Sequence, residues 1–142
     1  RTQISVAELF TDLKKLFPEE EFQFEAPSPE LKLNADRTQI EQVLINLLKN
    51  AREACNRKLD KNIQVKVKKL SAGNTALTIS DNGEGILPDV LDKIFVPFFT
   101  TKTSGSGIGL SLCKQIMTLH EGSINVKSEV GKGSSFILTF PK

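Results

Sequence analysis

Two asparagines four residues apart, Asn46 and Asn50, interrupt an apolar-periodic run, "NLLKNAREA" over 46–54. Asparagine is a poor helix former because its amide competes for backbone hydrogen bonds. A helical wheel at about 100° per residue puts Gln42, Asn46, Asn50, Glu53 and Arg57 on one stripe opposite the leucines. A solvated face explains such a stripe. So does a pair of neutral oxygen ligands, able to hold a hydrated Mg²⁺ beside phosphates without adding negative charge. A second constellation is "TISDNGEGI". Strand parity sets Asp81 on the side of Leu77 and Ile79, so a carboxylate points inward at a strand end, where it needs a donor. Gly83 and Gly85 remove side chains where a flat ligand could approach, and a purine's exocyclic amine would suit the acceptor. Asp-Asn-Gly is also good turn chemistry, and this segment alone leaves both open. The third is "FFTTKTSGSGIGLSLCKQIM", 98–117. Its glycines at 105, 107 and 109 precede a helix whose first amides lack intrahelical acceptors, which makes an anion site for phosphate. It is neither G-x-G-x-x-G after a strand nor a Walker A loop. Backbone would hold the phosphates and residues 98–106 would form a closing flap. A plain glycine-rich loop is the alternative.

The elements that must position these residues follow from period and caps. Leu9, Leu13 and Leu16 mark a first helix closed by Pro18, and "EFQFE" (21–25) and "LKLNA" (31–35) alternate as short strands. Asp36 caps a long helix whose apolar stripe is Ile40, Val43, Leu44, Leu47, Leu48, Ala51 and Ala54. "NIQVKVKKL" and "NTALTIS" form a hairpin through "SAGN". "DVLDKIF" is a short helix. The helix from about Gly107 sets Ile108, Leu112, Ile116 and Leu119 on one side and Ser111, Lys114 and Thr118 on the other. "GSINVKS" and "SFILTF" close the chain as strands. The expected fold is a single α/β (α+β) domain over 1–142, a two-layer sandwich with helices on one face of a mixed, mostly antiparallel sheet.

Nineteen basic and seventeen acidic residues, net +2, are too balanced to argue for nucleic acid or a membrane surface. Two cysteines and one histidine supply neither a structural zinc site nor a disulfide framework. Cys55 and Cys113 are expected as small core residues in a reducing compartment. No run of about 18 apolar residues suggests a membrane span.

Together the three segments resemble the nucleotide-binding boxes of the superfamily that groups DNA gyrase, the ninety-kilodalton heat-shock chaperones, sensor histidine kinases and mismatch-repair ATPases. "NLLKNAREA" is similar to the asparagine box, "DNGEGI" (81–86) to the first glycine box, "IFVPFFTTK" (94–102) to the phenylalanine box and "GSGIGLSL" (105–112) to the second glycine box. "HEGSINVKSEVGKGSSFILTFP" (120–141) resembles the closing strands of sensor kinases. The resemblance implies the Bergerat fold and ATP with Mg²⁺. Asn50 would ligate the metal, and Asn46 would lie near the phosphates. Asp81 would accept the adenine amine, with Gly83, Gly85 and Ile86 lining the base pocket. Phe95, Phe98 and Phe99 would brace the flap. Lys102 would reach the phosphates, and Gly105 and the amides of Gly107, Ile108, Gly109 and Leu110 would wrap them. Ser134 would support the Asp81 contact through water.

The hydrolases of this superfamily carry a glutamate four residues before the metal-binding asparagine. Here that position is Asn46, and an amide is no general base at neutral pH. The resemblance is therefore to the catalytic, ATP-binding domain of a sensor histidine kinase of a two-component system. Such a domain passes the γ-phosphoryl to a histidine on a separate dimerisation hairpin. Glu53 departs from the basic residue usual three positions after Asn50, which transfers its role to Lys102 or, less well, Arg57. His120 is expected to contact the last carbonyls of its helix rather than accept phosphate. Implied partners are the helical hairpin of the same parent chain and a response regulator, with no nucleic acid. The parent would be a homodimer and the fragment monomeric. The domain would be cytoplasmic, with its parent open to anchoring in the inner membrane. The rival readings are a degenerate nucleotide-sensing module and a protein-serine kinase of the anti-sigma type.

Overall fold

The computed structural model describes residues 1–25, 27–97, 99 and 109–142. The expectations attached to Phe98, Lys102, Gly105, Gly107, Ile108 and the flap lie outside the described residues.

The chain runs β1 (Thr2–Ser5), α1 (Val6–Leu16), β2 (Phe22–Phe24), β3 (Lys32–Ala35), α2 (Arg37–Ala54), β4 (Ile63–Lys69), β5 (Thr75–Asp81), α3 (Pro88–Leu91), α4 (Gly109–Leu119), β6 (Ser123–Glu129) and β7 (Gly133–Phe140). Five strands form one sheet in the order β2-β4-β5-β7-β6, and β1 pairs with β3 in a separate two-stranded ribbon. Only β2–β4 is parallel among the described pairs. Helix α2 packs on β5 and β7, α4 on β6 and α2, and α1 on β2 and α2. The two-layer sandwich expected from the sequence is the fold found.

The α2 stripe is as read: Ile40, Val43, Leu44, Leu47, Leu48 and Ala51 are buried, and Asp36 caps the helix by accepting the Gln39 amide at 3.1 Å. Burying each large aliphatic contributes roughly 2 kcal/mol. Asn46 and Asn50 each cost about half a kcal/mol against alanine. The core decides, and the helix carries both asparagines without strain. It ends at Ala54, so Arg57 falls beyond the polar stripe that the period had extended to it.

Two helical faces differ from expectation. In α1 the buried set is Val6, Leu9, Phe10 and Leu13, while Leu16 is 58% exposed. In α4 the buried set is Ser111, Cys113, Ile116 and Met117, and Leu119 is 62% exposed. Cys113 fits against α2, its Sγ 3.8 Å from the Val43 carbonyl. Both cysteines are buried, as expected of small core residues.

His120 follows α4 and is 3% exposed. Its Nδ1 lies 2.8 Å from the Ile116 carbonyl, the helix-end contact expected of it, and its Nε2 accepts the Asp36 amide at 3.0 Å. One neutral tautomer satisfies both bonds, with the proton on Nδ1. The ring thereby ties the end of α4 to Asp36, the N-cap of α2. Replacing His120 by alanine removes the acceptor of the Asp36 amide and the buried ring, while the Ile116 carbonyl keeps the backbone N–H of residue 120, and a loss of about 1–3 kcal/mol is expected in urea unfolding. An unchanged midpoint would show that the tie contributes nothing.

In the sheet, inward residues fall in register: Ile124, Leu138 and Leu77 in one row, Val126, Phe136 and Ile79 in the next. The row after these is polar: Ser128, Ser134 and Asp81. The apolar core stops there, and the candidate site begins.

Candidate functional site

The polar row lies under the segment that leaves β5. Asp81 is half-buried, and its Oδ1 accepts the Gly83 amide at 2.9 Å. The Ser134 amide also donates to its carboxylate. Burial pushes the Asp81 carboxyl above its ordinary value, and the two amides pull it back only in part. An inward acid held by backbone donors is poised to accept from a ligand. Ile86 is half-buried, and its amide donates to Ser128 Oγ at 2.8 Å.

The glycines of this segment lie against the protein's own backbone. A Cβ on Gly83 would lie 2.6 Å from the Ala54 carbonyl carbon, at the end of α2. One on Gly85, whose φ is +79°, would lie 2.8 Å from the Glu129 carbonyl carbon. The space their missing side chains leave is filled by protein backbone rather than open to a flat ligand. Glycine lets the 83–86 segment seat on α2 and on the β6–β7 turn. Two hydrogen bonds fix that seat: Glu84 N–H to the Ala54 carbonyl at 3.1 Å and Gly131 N–H to the Glu84 carbonyl at 2.9 Å.

The asparagine pair lies on α2, both members half-buried. Asn46 is brought beside the start of α4: a Cβ on Gly109 would sit 3.9 Å from Asn46 Cγ. Its amide nitrogen is 3.9 Å from Cys113 Sγ. Burial pushes the Cys113 thiol up to about 11, so it stays neutral and orients the amide without adding charge. Gly109 and Leu110 open the described part of α4, half-buried, facing the same region. Glu53 is exposed on α2. Phe95 is half-buried, with the Lys114 ammonium 5.6 Å from its ring centroid, which ties the segment after α3 to α4.

The structure thus brings Asn46 to Gly109, and Asp81 to Gly83 and Ser134, with the length of α2 spanning the two groups. Sequence reasoning missed two contributors. Asn82 donates to the Asp60 carbonyl at 2.7 Å and accepts the Asn62 amide at 2.9 Å, which clamps the residue after Asp81. Ser128 is the other. The parity that found Asp81 would have found it, since Ile124, Val126 and Ser128 alternate in the same way.

A helix face carrying amides, an inward acid at a sheet end and a glycine at a helix start thus lie on one α/β sandwich. Residues 35–142 match the family described as histidine kinase-, DNA gyrase B-, and HSP90-like ATPase. The chain belongs to that family, whose nucleotide is ATP. It is similar to the sensor histidine kinase ZraS of Salmonella typhimurium, 41% identical over 110 residues, which is 78% of this chain and 23% of that protein. The chain thus spans about a quarter of that relative's length. The nucleotide-free catalytic domain of the histidine kinase ThkA superposes with a TM-score of 0.86 at 36% identity, covering 99% of this chain and 95% of that one. ThkA in complex with the response regulator TrrA superposes at 0.80 with 33% identity, over 99% of this chain and 41% of that one.

Proposed function

We propose that the chain is the catalytic domain of a sensor histidine kinase, holding Mg-ATP between α2, the end of β5 and the start of α4. The observation that carries this reading is Asn46 against Gly109, an amide where a water-activating hydrolase needs a carboxylate. A site that positions ATP without activating water keeps the γ-phosphoryl for a better nucleophile, and positioning with charge neutralisation is most of what phosphoryl transfer needs.

Asp81 accepts the adenine amine, while Gly83, Gly85 and Ile86 shape the base pocket and Ser134 supports the acid. The Asn50 amide oxygen is a hard donor suited to Mg²⁺. Among the described residues no group of three His, Cys, Asp or Glu side chains could hold a metal. The metal, when bound, neutralises phosphate charge. Asn46 orients beside the phosphates. Gly105, Gly107, Ile108, Gly109 and Leu110 offer backbone amides to them, and Lys102 is the cation that replaces the usual base at Glu53. In the transfer, the bond from the γ-phosphorus to the ADP oxygen breaks, a bond to an imidazole nitrogen forms, and that ring gives up its proton.

The acceptor histidine belongs to a helical hairpin of the parent chain, a homodimer through that hairpin, and a response regulator takes the phosphoryl onward. The ThkA–TrrA complex supports that partner class. Among the described residues no helix is long and apolar enough to cross a membrane, so an inner-membrane anchor would belong to other parts of the parent. Mixing this chain with a separately made hairpin and γ-labelled Mg-ATP should give an acid-labile phosphohistidine on the hairpin. Nucleotide binding with no labelled hairpin would favour the degenerate sensing module. An acid-stable product would favour the protein-serine kinase.

A further inference from the structure

Asn82 is the one asparagine of the chain that is followed by glycine. In an Asn-Gly pair the side chain closes most readily on the next backbone nitrogen, because glycine puts no side chain in the way. Here the Asn82 amide is engaged at both ends. Its Nδ2 donates to the Asp60 carbonyl at 2.7 Å, and its Oδ1 accepts the Asn62 amide at 2.9 Å and the Cys55 thiol at 3.5 Å. A carbonyl only accepts and a backbone N–H only donates, so these partners admit a single orientation of the amide. Gly83 is buried, packs against Ala54, and gives its N–H to Asp81 Oδ1 at 2.9 Å. The side chain and the nitrogen that would have to meet are held by different partners.

We infer that Asn82 is a deamidation site kept shut by its own clamp, and that its conversion disables the base end of the nucleotide site. In the reaction, hydroxide takes the Gly83 N–H proton and the Gly83 nitrogen bonds to Asn82 Cγ. The Cγ–Nδ2 bond breaks, ammonia leaves, and a cyclic imide remains. Water then opens the imide at either carbonyl, giving aspartate or isoaspartate. The closed clamp opposes each step: Nδ2 is tied to the 60–62 loop, the Gly83 proton lies on a carboxylate oxygen, and the glycine is buried. Conversion therefore runs through local opening of the contact between residues 82–83 and the 60–62 loop. Aspartate sets an oxygen against the Asp60 carbonyl where the amide had donated. Isoaspartate adds one main-chain atom leading into Gly83, whose seat on the Ala54 carbonyl leaves no room. Either product displaces the segment that leaves Asp81. The effect on nucleotide rests on the reading of Asp81 as the acceptor of the base's amine. The protection of Asn82 does not.

The test is peptide mass analysis of the chain kept at mildly alkaline pH, folded and in unfolding urea. Arg57→Gly supplies an internal control, because it makes a second Asn-Gly pair at Asn56, which is exposed and outside the clamp. In the folded variant Asn82 should convert about tenfold or more slowly than Asn56, and in urea the two should convert alike. Equal rates in the folded variant overturn the clamp. Should Arg57→Gly not fold, the wild-type chain carries the test, since equal conversion of Asn82 folded and unfolded has the same meaning. For the second half, Asn82→Asp stands for the aspartyl product and should bind ATP about tenfold or more weakly by calorimetry. Unchanged affinity overturns the disabling effect. Should that variant not fold, partly converted wild-type chain is passed over immobilised ATP. Converted forms should collect in the unbound fraction, and equal conversion in both fractions overturns the effect. Asp81→Asn tests the underlying reading separately. If it retains ATP affinity, the pocket assignment fails and the slow conversion of Asn82 stands by itself. If it loses ATP while Asn82→Asp binds as the wild type does, the disabling effect fails alone.

Discussion

Asp81→Asn is expected to weaken ATP binding on the order of a thousandfold or more, to the limit of calorimetric detection. The carboxylate is acceptor-only when ionised, and its cage already supplies two backbone donors, from Gly83 and Ser134. An asparagine must still accept from them. Satisfying both with its single oxygen turns its NH₂ toward the ligand, where donor meets donor. Binding loses a charge-assisted hydrogen bond and also buries an unpaired adenine N–H, which makes the change far larger than removal of one neutral bond. The wild-type pH profile carries the same signature. On the proposed reading the base's amine needs the ionised acid, and burial raises the Asp81 carboxyl. Affinity should therefore fall on acidification at a higher pH than an unperturbed aspartate would set. For the unliganded fold the sign reverses. An acid with a raised folded-state value contributes stability below its unfolded value and loses that contribution as pH rises through the folded one. Acid should thus weaken binding while relieving this one source of strain in the apo protein. An affinity that is flat through the acidic range would remove Asp81 from the base pocket.

How much of this was legible in the sequence depends on which force dominates each element. Period and caps recovered α2 to the residue at its start, because six buried apolar residues and an Asp36 cap agree with one another. Parity recovered the inward Asp81. The face of α4 was misjudged because hydropathy ranks Leu119 above Cys113, whereas the seam against α2 accepts the smaller, buried thiol. Strand β1 gave no signal: four residues, two of them exposed, pair only with β3, and that pairing is non-local. At Gly83 and Gly85 the space a Cβ would take is filled by the protein's own backbone, a contact that spacing alone does not reveal. Composition and spacing mark where bulk is forbidden. They do not say what occupies the space.

Gly133 makes that last point testable, and its replacement by alanine is expected to be far more damaging than the same change at Gly131. Its φ is +129°, a conformation side chains rarely adopt, and a Cβ there would drive into the Asp81 carbonyl, with the carbonyl carbon at 2.9 Å and Asn82 Cα at 3.0 Å. Those atoms belong to the end of β5, which is held between β4 and β7 and cannot shift without breaking both ladders. Gly131, two residues earlier, supplies the control: its φ is +83°, yet nothing lies within 4 Å of where its Cβ would be. Gly131→Ala therefore carries backbone strain alone, about 1–2 kcal/mol. Gly133→Ala adds a backbone collision and should lose several kcal/mol, a large share of the 5–15 kcal/mol typical of a domain. Urea midpoints measure both. Equal losses would mean that conformation, not space, decides at Gly133. A much larger loss at Gly133, with ATP affinity intact in Gly131→Ala, would mean that the close approach of β7 to β5 is what brings Ser134 against Asp81. The acid's donors and the close approach of Gly133 to the end of β5 then have the same origin, and a substitution that loosens one must release the other.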